Sequence, residues 1–562
     1  VGTSARQALT VAQAQRFQQA VALLRSGQPA EALAIAQDLA AQSPRAADAW
    51  QLIGLCQAGA GGHGEAADAF EQALALVPGN AAVSRNYGVF LAGRGKALRE
   101  QDAPEVAEPV LRKALTLVPD LPSAWVDLGM VLRLLGRVEE GLAALRRADS
   151  LLQQRGAPSP EVQDAIGGAL ADAGRATDAL AAARALVASH PGYAPGHETL
   201  GRLLWEHGAE LAPGEDPLAT FRAAATAQPD NHALQLSLAR LLLAVGRPDE
   251  VLALVDPLRQ RDPGNALLDW FAADALDALG QREQAARLFA AAAKSELAEF
   301  PEFLNARARH AFRSGQIDLA AACAAKVVEF DPRNQEGWSH RGTAWRLLGD
   351  EREHWLCDYE RLVGYVEIEA PPGVPDLETF LAALAATLDT LHNAGREPVH
   401  QSVRGGTQTA GQLFGRDVPM IRAAESALAA AVERWLATLP DDDGHPFLSM
   451  KRPGARFVGS WSVRLGSSGS HSNHIHPRGW ASSAFYVALP DLIDQAGDGS
   501  THGWLQFGVP VETLGLHLPP RRLIRPRPGH LALFPSYMWH GTVPFEASQP
   551  RLTIAFDMRP KG

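Results

Sequence analysis

Residues 43–80 read SPRAADAWQLIGLCQAGAGGHGEAADAFEQALALVPGN, and the order of residue types in this stretch decides the fold of most of the chain. AADAWQLIGLCQAGAG and HGEAADAFEQALALVP each carry apolar residues at helical spacing. A Gly-rich break separates them, and a closing proline cannot continue the second helix. The unit is a helix pair. It recurs in phase: Pro44 and Pro78, Gly54 and Gly88, and Pro229 and Pro263 each lie 34 residues apart. PSAWVDLGMVLRLLG followed by RVEEGLAALRRADSLL repeats the pair after Pro119, and the series runs on through Pro191, Pro229, Pro263 and Pro332. The step from Pro78 to Pro119 is 41, so a short insertion around GKALREQDAPEVAEP lengthens one helix pair or its loop.

With period, aromatic, Gly and Pro recurring together, residues 9–362 resemble a tetratricopeptide array. Such units cannot bury their apolar faces alone, and the resemblance implies that they stack into a right-handed superhelix with a concave groove. The groove reads as a surface for a peptide or protein partner, with a rigid spacer or an oligomerisation surface as the alternative. Arrays with an apolar first helix, here Thr10 to Leu24, often form homodimers or dock onto a partner.

The totals agree. With 562 residues, 46% of them hydrophobic and 20% charged, the chain can bury more than one core and is not intrinsically disordered. Lys+Arg 52 against Asp+Glu 63 leaves −11, which argues against nucleic acid as a partner. No apolar run approaches the ~20 residues of a membrane span. Cys56, Cys323 and Cys357 form neither a disulfide framework nor a CxxC zinc pattern, and the first thirty residues lack the features of a secretory signal. These features predict a soluble, cytoplasmic protein.

After residue 362 the pattern changes. A linker over 363–378, containing EAPPGVPDLE, leads into a domain over 379–562. Amphipathic stretches near Leu377–Asn393 and Pro419–Leu439 flank a Gly/Thr-rich loop, QSVRGGTQTAGQLFGR, of which SVRGGTQT reads as a lid or an ordinary tight loop. From Phe457 onward, FVGSWSVRLG, WASSAFYVALP, GWLQFGV, RLIRPRPGHLALFPS and RLTIAFDM alternate between faces and are separated by turn residues, which predicts an antiparallel sandwich or barrel.

Ten of the eighteen histidines follow residue 365. In SHSNHIHPRGW, His474 and His476 are two apart, so on an extended segment both imidazoles face one side and can reach one metal ion. His540 closes the strand-like run GHLALFPSYMWH, and eleven residues on come Arg551 and, on the same face, Thr553. Trp480, Tyr486, Trp504 and Trp539 are candidate pocket walls or core. Arg464 faces away from Trp461, Val463 and Leu465. His471, His502, His517 and His530 read as surface or supporting groups, and Asp557 and Asp491 as carboxylates whose spacing favours neither.

Residues 400–559 resemble the bacterial 2-oxoglutarate/Fe(II) oxygenases that follow tetratricopeptide repeats, through HQSVRGGTQT, HPF, GSWSVRL, NHIHPRGWASSAFYVALP, GWLQFG, PRPGHLALFPSYMWHGTVPF and RLTIAFD. The resemblance implies an α-solenoid followed by a helix-flanked double-stranded β-helix, a jelly-roll of cupin type. It also implies Fe(II) held by His474, His476 and His540, with the far carboxylate of the co-substrate 2-oxoglutarate on Arg551, supported by Thr553. A guanidinium fork matches a carboxylate bidentately. The implied activity is hydroxylation of a peptide or protein recruited by the repeats, coupled to conversion of 2-oxoglutarate to succinate. One departure matters. Most such enzymes have His-x-Asp or His-x-Glu where this chain has His474 and His476, which leaves open zinc, a three-histidine dioxygenase without 2-oxoglutarate, or a non-catalytic ligand-binding scaffold.

Overall fold

The computed structural model describes residues 8–392, 403–494 and 499–561. These fall into two compact units that meet between Ala169 and Leu170.

The first unit is a run of helix pairs. Ala47–Gly59 with His63–Leu76, and Pro122–Leu134 with Val138–Gln154, match the pairs read from the sequence. The 41-residue step lengthens one helix, Ala81–Glu100, to 20 residues. Small residues set how closely the helices approach. A Cβ on Gly54 would lie 2.9 Å from the Phe70 ring, and one on Gly88 would lie 2.5 Å from Val118. A second device recurs in the helix pairs of both units. The indole N–H of Trp50, Trp125 and Trp338 donates to the carbonyl of the proline six residues earlier, each at 2.9 Å, and so satisfies an oxygen at the end of the preceding helix. Asn80, Asn231, Asn265 and Asn334, each two residues after such a proline, cap the next helix with their side chains.

The second unit continues these pairs from Ala176–Ser189 to Gln335–Leu348 and the short helix Arg352–Leu356, and then becomes β. Its strands are β1 Gly364–Glu367, β2 Val403–Gln408, β3 Ala455–His471, β4 Ala481–Ala488, β5 Leu505–Phe507, β6 Arg522–Ile524, β7 His530–Pro535, β8 His540–Thr542 and β9 Arg551–Pro560. Six form one antiparallel sheet in the order β1-β7-β4-β9-β3-β2, and three form a second in the order β6-β5-β8. This is the jelly-roll type of sandwich. Helices Leu377–Asp389 and Pro419–Thr438 pack on the large sheet through Leu384, Leu388, Leu428, Val432 and Trp435. The site lies on the opposite face, and β9 shows how. Leu552, Ile554, Phe556 and Met558 enter the apolar core, while Arg551, Thr553, Ala555 and Asp557 line a cavity, as period-two alternation requires.

Two readings change in detail. Gly364–Glu367, inside the stretch read as linker, pairs with β7 as an edge strand. Part of the Gly/Thr-rich loop is strand β2, hydrogen-bonded to β3. Gln401 and Ser402, at the start of that loop, and Asn393 lie outside the described residues.

The last repeat helices pack directly on the β-region. Trp539 donates its indole N–H to Thr343 at 2.9 Å, and Tyr537 donates its hydroxyl to the Leu356 carbonyl at 2.7 Å. Arg346 donates to the Gly508 and Pro519 carbonyls at 2.6 and 2.7 Å, and Arg521 pairs with buried Glu353 at 2.9 Å. Ala311, Phe312, Ala320 and Ala344 share an apolar cluster with Leu514 and Trp539. No described helix is long and apolar enough to cross a membrane.

Candidate metal centre

His474 and His476 lie on the segment after β3, and His540 opens β8. His474 and His540 exchange both backbone hydrogen bonds, at 2.9 and 3.1 Å, and the His476 N–H donates to the Ser536 carbonyl at 3.0 Å. Backbone pairing alone therefore places the three side chains together. One nitrogen from each lies within 4.8 Å of the others.

The Nδ1 partners give the centre its direction. His474 Nδ1 is 2.7 Å from the Ser472 carbonyl and His540 Nδ1 is 2.9 Å from the Met538 carbonyl. His476 Nδ1 is 2.7 Å from Asp557 Oδ1. These oxygens only accept, so each Nδ1 carries the proton and each Nε2 keeps a lone pair. His474 Nε2 and His476 Nε2 then face each other at 3.1 Å. Two lone pairs at that separation repel unless a cation bridges them, and neutral imidazoles with Nδ1 held this way are the form in which histidine binds metal. Burial, followed by the neighbouring imidazoles, pushes His474 and His540 well below the usual histidine range and so favours the neutral form.

The same cavity, of about 720 Å³, is lined by Arg551 and Thr553. Arg551 is only 2% exposed. Its guanidinium lies over the Tyr486 ring at 5.1 Å, and its Nε has no hydrogen-bond partner among the described residues. Burial lowers its pKa, and what opposes this is Tyr486, then Tyr365, not a carboxylate. A buried guanidinium without an anion is costly unless a ligand supplies one. Thr553 is buried beside it, its hydroxyl 3.5 Å from the Val463 carbonyl. The donor set therefore fits a metal, and the guanidinium fits a carboxylate-bearing ligand next to it.

Other candidates sort clearly. Of the aromatic residues read as walls, Trp480 stacks on Phe447 in the core, Tyr486 lies under Arg551, and Trp539 bonds to Thr343. Trp504 does not line the cavity. The aromatic wall is Trp461, stacked on His476 with ring centres 5.7 Å apart and planes at 13°. Arg464 points outward and pairs with Asp389 at 3.3 Å. His471 lines the cavity, and burial, with Arg551 and His476 adding to it, holds it down at about 3. His502 bonds to the Pro544 carbonyl, His530 to the Pro528 carbonyl, and His517 is exposed. Asp491 pairs with Gln549 on the surface.

A family model described as "Putative 2OG-Fe(II) oxygenase" matches residues 459–557, the segment that holds all the cavity residues just described, and one described as "Tetratricopeptide repeat" matches 17–88, 92–160 and 272–350. The chain carries tetratricopeptide repeats and a C-terminal domain of the 2OG-Fe(II) oxygenase family. It is similar to Protein O-mannosyl-transferase TMTC1 of Mus musculus, 29% identical over 126 residues, 22% of this chain. The match spans 13% of that relative's length. Among solved structures, MamA from Desulfovibrio magneticus RS-1 covers 32% of this chain and 96% of its own, at 19% identity and a TM-score of 0.26. A structure of PilF from Pseudomonas aeruginosa covers 41% and 97%, at 20% identity and a TM-score of 0.28. The family implies Fe(II) and 2-oxoglutarate as the cofactors of the C-terminal domain.

Proposed function

We propose that the chain is an Fe(II)- and 2-oxoglutarate-dependent dioxygenase that hydroxylates a peptide or protein segment presented by its repeats, with residues 9–362 as the recruiting array and 379–562 as the oxygenase domain. The observation that carries this reading is the juxtaposition of one nitrogen from each of three imidazoles with a buried Arg551, which no carboxylate offsets, in one cavity. His474, His476 and His540 would hold the metal, Arg551 the far carboxylate of 2-oxoglutarate, and Thr553 would support Arg551. Bound Fe(II) with 2-oxoglutarate and dioxygen supplies C–H hydroxylation coupled to decarboxylation of the co-substrate. The chain's own part is to position and to keep the site dry: Trp461 fixes the His476 ring, and Tyr486 supports the guanidinium.

Presentation by the repeats is supported by a second cavity, of about 630 Å³, lined by Asp172, Arg175, Glu206 and His207 of the repeats and by Gln408 and Arg416 of the oxygenase side. Gln408 lines the metal cavity as well. Repeats of this kind generally mediate protein–protein contacts. The three free cysteines are all buried, in keeping with a reducing, cytoplasmic setting.

Anaerobic addition of Fe(II) and 2-oxoglutarate should give a weak visible charge-transfer band that His540→Ala loses. Under oxygen, succinate should form. A protein that shows neither band nor succinate with any peptide pool is not this enzyme.

A further inference from the structure

We propose that Asp557 is the anionic group of the metal centre, acting through His476 as a positioning residue and not as a ligand. This rests on the reading of the centre as an Fe(II) site. The ligand set offers three neutral imidazoles and no carboxylate, which leaves the metal's charge uncompensated. Two of the imidazoles direct Nδ1 to a backbone carbonyl two residues earlier in the chain. His476 alone directs it to a carboxylate, at 2.7 Å. Proton donation to an anion raises the basicity of the opposite nitrogen, so the charge of Asp557 reaches the metal through the ring.

The surroundings are built to hold this pair. Asp557 Oδ1 also accepts from the Ser482 hydroxyl at 2.7 Å, and Ser482 is its direct cross-strand partner on β4. The Ser482 and Ser536 hydroxyls are 2.7 Å apart, and the Ser536 carbonyl receives the His476 backbone N–H. A Cβ on Gly479 would come within 2.4 Å of Ser536 Oγ and 3.3 Å of the Asp557 side chain, so glycine leaves the space they occupy. Trp461 closes the other face of the His476 ring. No Lys or Arg pairs with Asp557 among the described residues, so its charge is directed to His476.

The test is equilibrium binding of Co(II), a spectroscopic stand-in for Fe(II), to the full chain and to Asp557→Asn, which removes the charge and keeps the shape. Metal affinity should fall about 10- to 100-fold, with the Co(II) visible bands retained. Thermal melts of the metal-free proteins report whether the variant folds. Ser482→Ala, which loosens the carboxylate but keeps its charge, should weaken binding roughly fivefold, the equivalent of one hydrogen bond. If Asp557→Asn does not fold, Ser482→Ala decides alone. Unchanged affinity in a folded Asp557→Asn, or failing that in Ser482→Ala, overturns the role of Asp557. A wild-type protein that binds no Co(II) overturns the metal-centre reading and this inference with it.

Discussion

Trp50 and Trp539 make the same bond, an indole N–H to an oxygen at 2.9 Å, in two regions that use it differently. In the repeats the bond is local, spanning six residues, and Trp125 and Trp338 make it again. From the oxygenase domain Trp539 makes it across 196 residues to a repeat helix and holds the residue next to His540; Trp480 and Trp355 also donate at 2.9 Å, but over 33 and 87 residues and to unlike partners, so none of these bonds is a copy of another. The array distributes its stability over copies of one device, as repeat architectures do. The candidate metal centre instead depends on single residues brought from distant strands. Redundancy therefore protects the first region and not the second.

The largest contrast to test is at Arg551. Arg551→Met removes a buried charge that no carboxylate offsets, so the metal-free protein should melt at the same temperature or higher, while thermal protection by 2-oxoglutarate should vanish entirely. A variant that keeps the protection would show that the cavity holds its ligand elsewhere.

A buried histidine in the repeats gives the next effect. Burial first, offset in part by Glu336, holds His340 down at about 4. Its folded-state pKa is thus below the unfolded value of about 6.5, and the unfolded chain binds the extra proton. Stability should fall as pH drops from about 6.5 toward 4, by roughly 3 kcal/mol at most, and His340→Gln should flatten that slope in denaturant titrations. Equal slopes in both proteins would remove His340 from the account.

Gly88→Val places a side chain against Val118 and should cost about 1–3 kcal/mol in unfolding of the first unit, with metal affinity unchanged. A change in metal affinity would break the separation drawn above. The smallest effects sharpen it most. Trp50→Phe and Trp539→Phe should each cost about 1 kcal/mol of stability. Only Trp539→Phe should also weaken Co(II) binding, and equal metal affinities would mean that the 196-residue contact does not reach His540.

The array was legible because its signals recur in phase: proline, glycine and helix boundaries fall within a few residues of where period and composition put them. His474 and His476 were legible through their His-x-His spacing and Arg551 with Thr553 through the alternation of β9, whereas His540 joined them through the family resemblance. That same alternation continues to Asp557, six residues past Arg551, and is the signal that could have singled it out. What hid it was its partner, since His476 is 81 positions away and strand register is not written in either segment. Trp461 reads from sequence as part of one face of a strand, but which face meets the cavity depends on β9 lying beside β3. Gly364–Glu367 was too short and too close to prolines to read as a strand, and it forms one because β7 offers an edge.

Thr343, Arg346 and Glu353 belong by sequence to the repeats, yet they grip the segment that ends in His540 and the loops around it. In a genetic screen for loss of the proposed activity, hits at these positions would group with alleles of the proposed metal ligands and not with those elsewhere in the array. An excision made at residue 363 would leave the oxygenase domain without its floor, so a minimal active fragment has to begin upstream of the helix Gln335–Leu348.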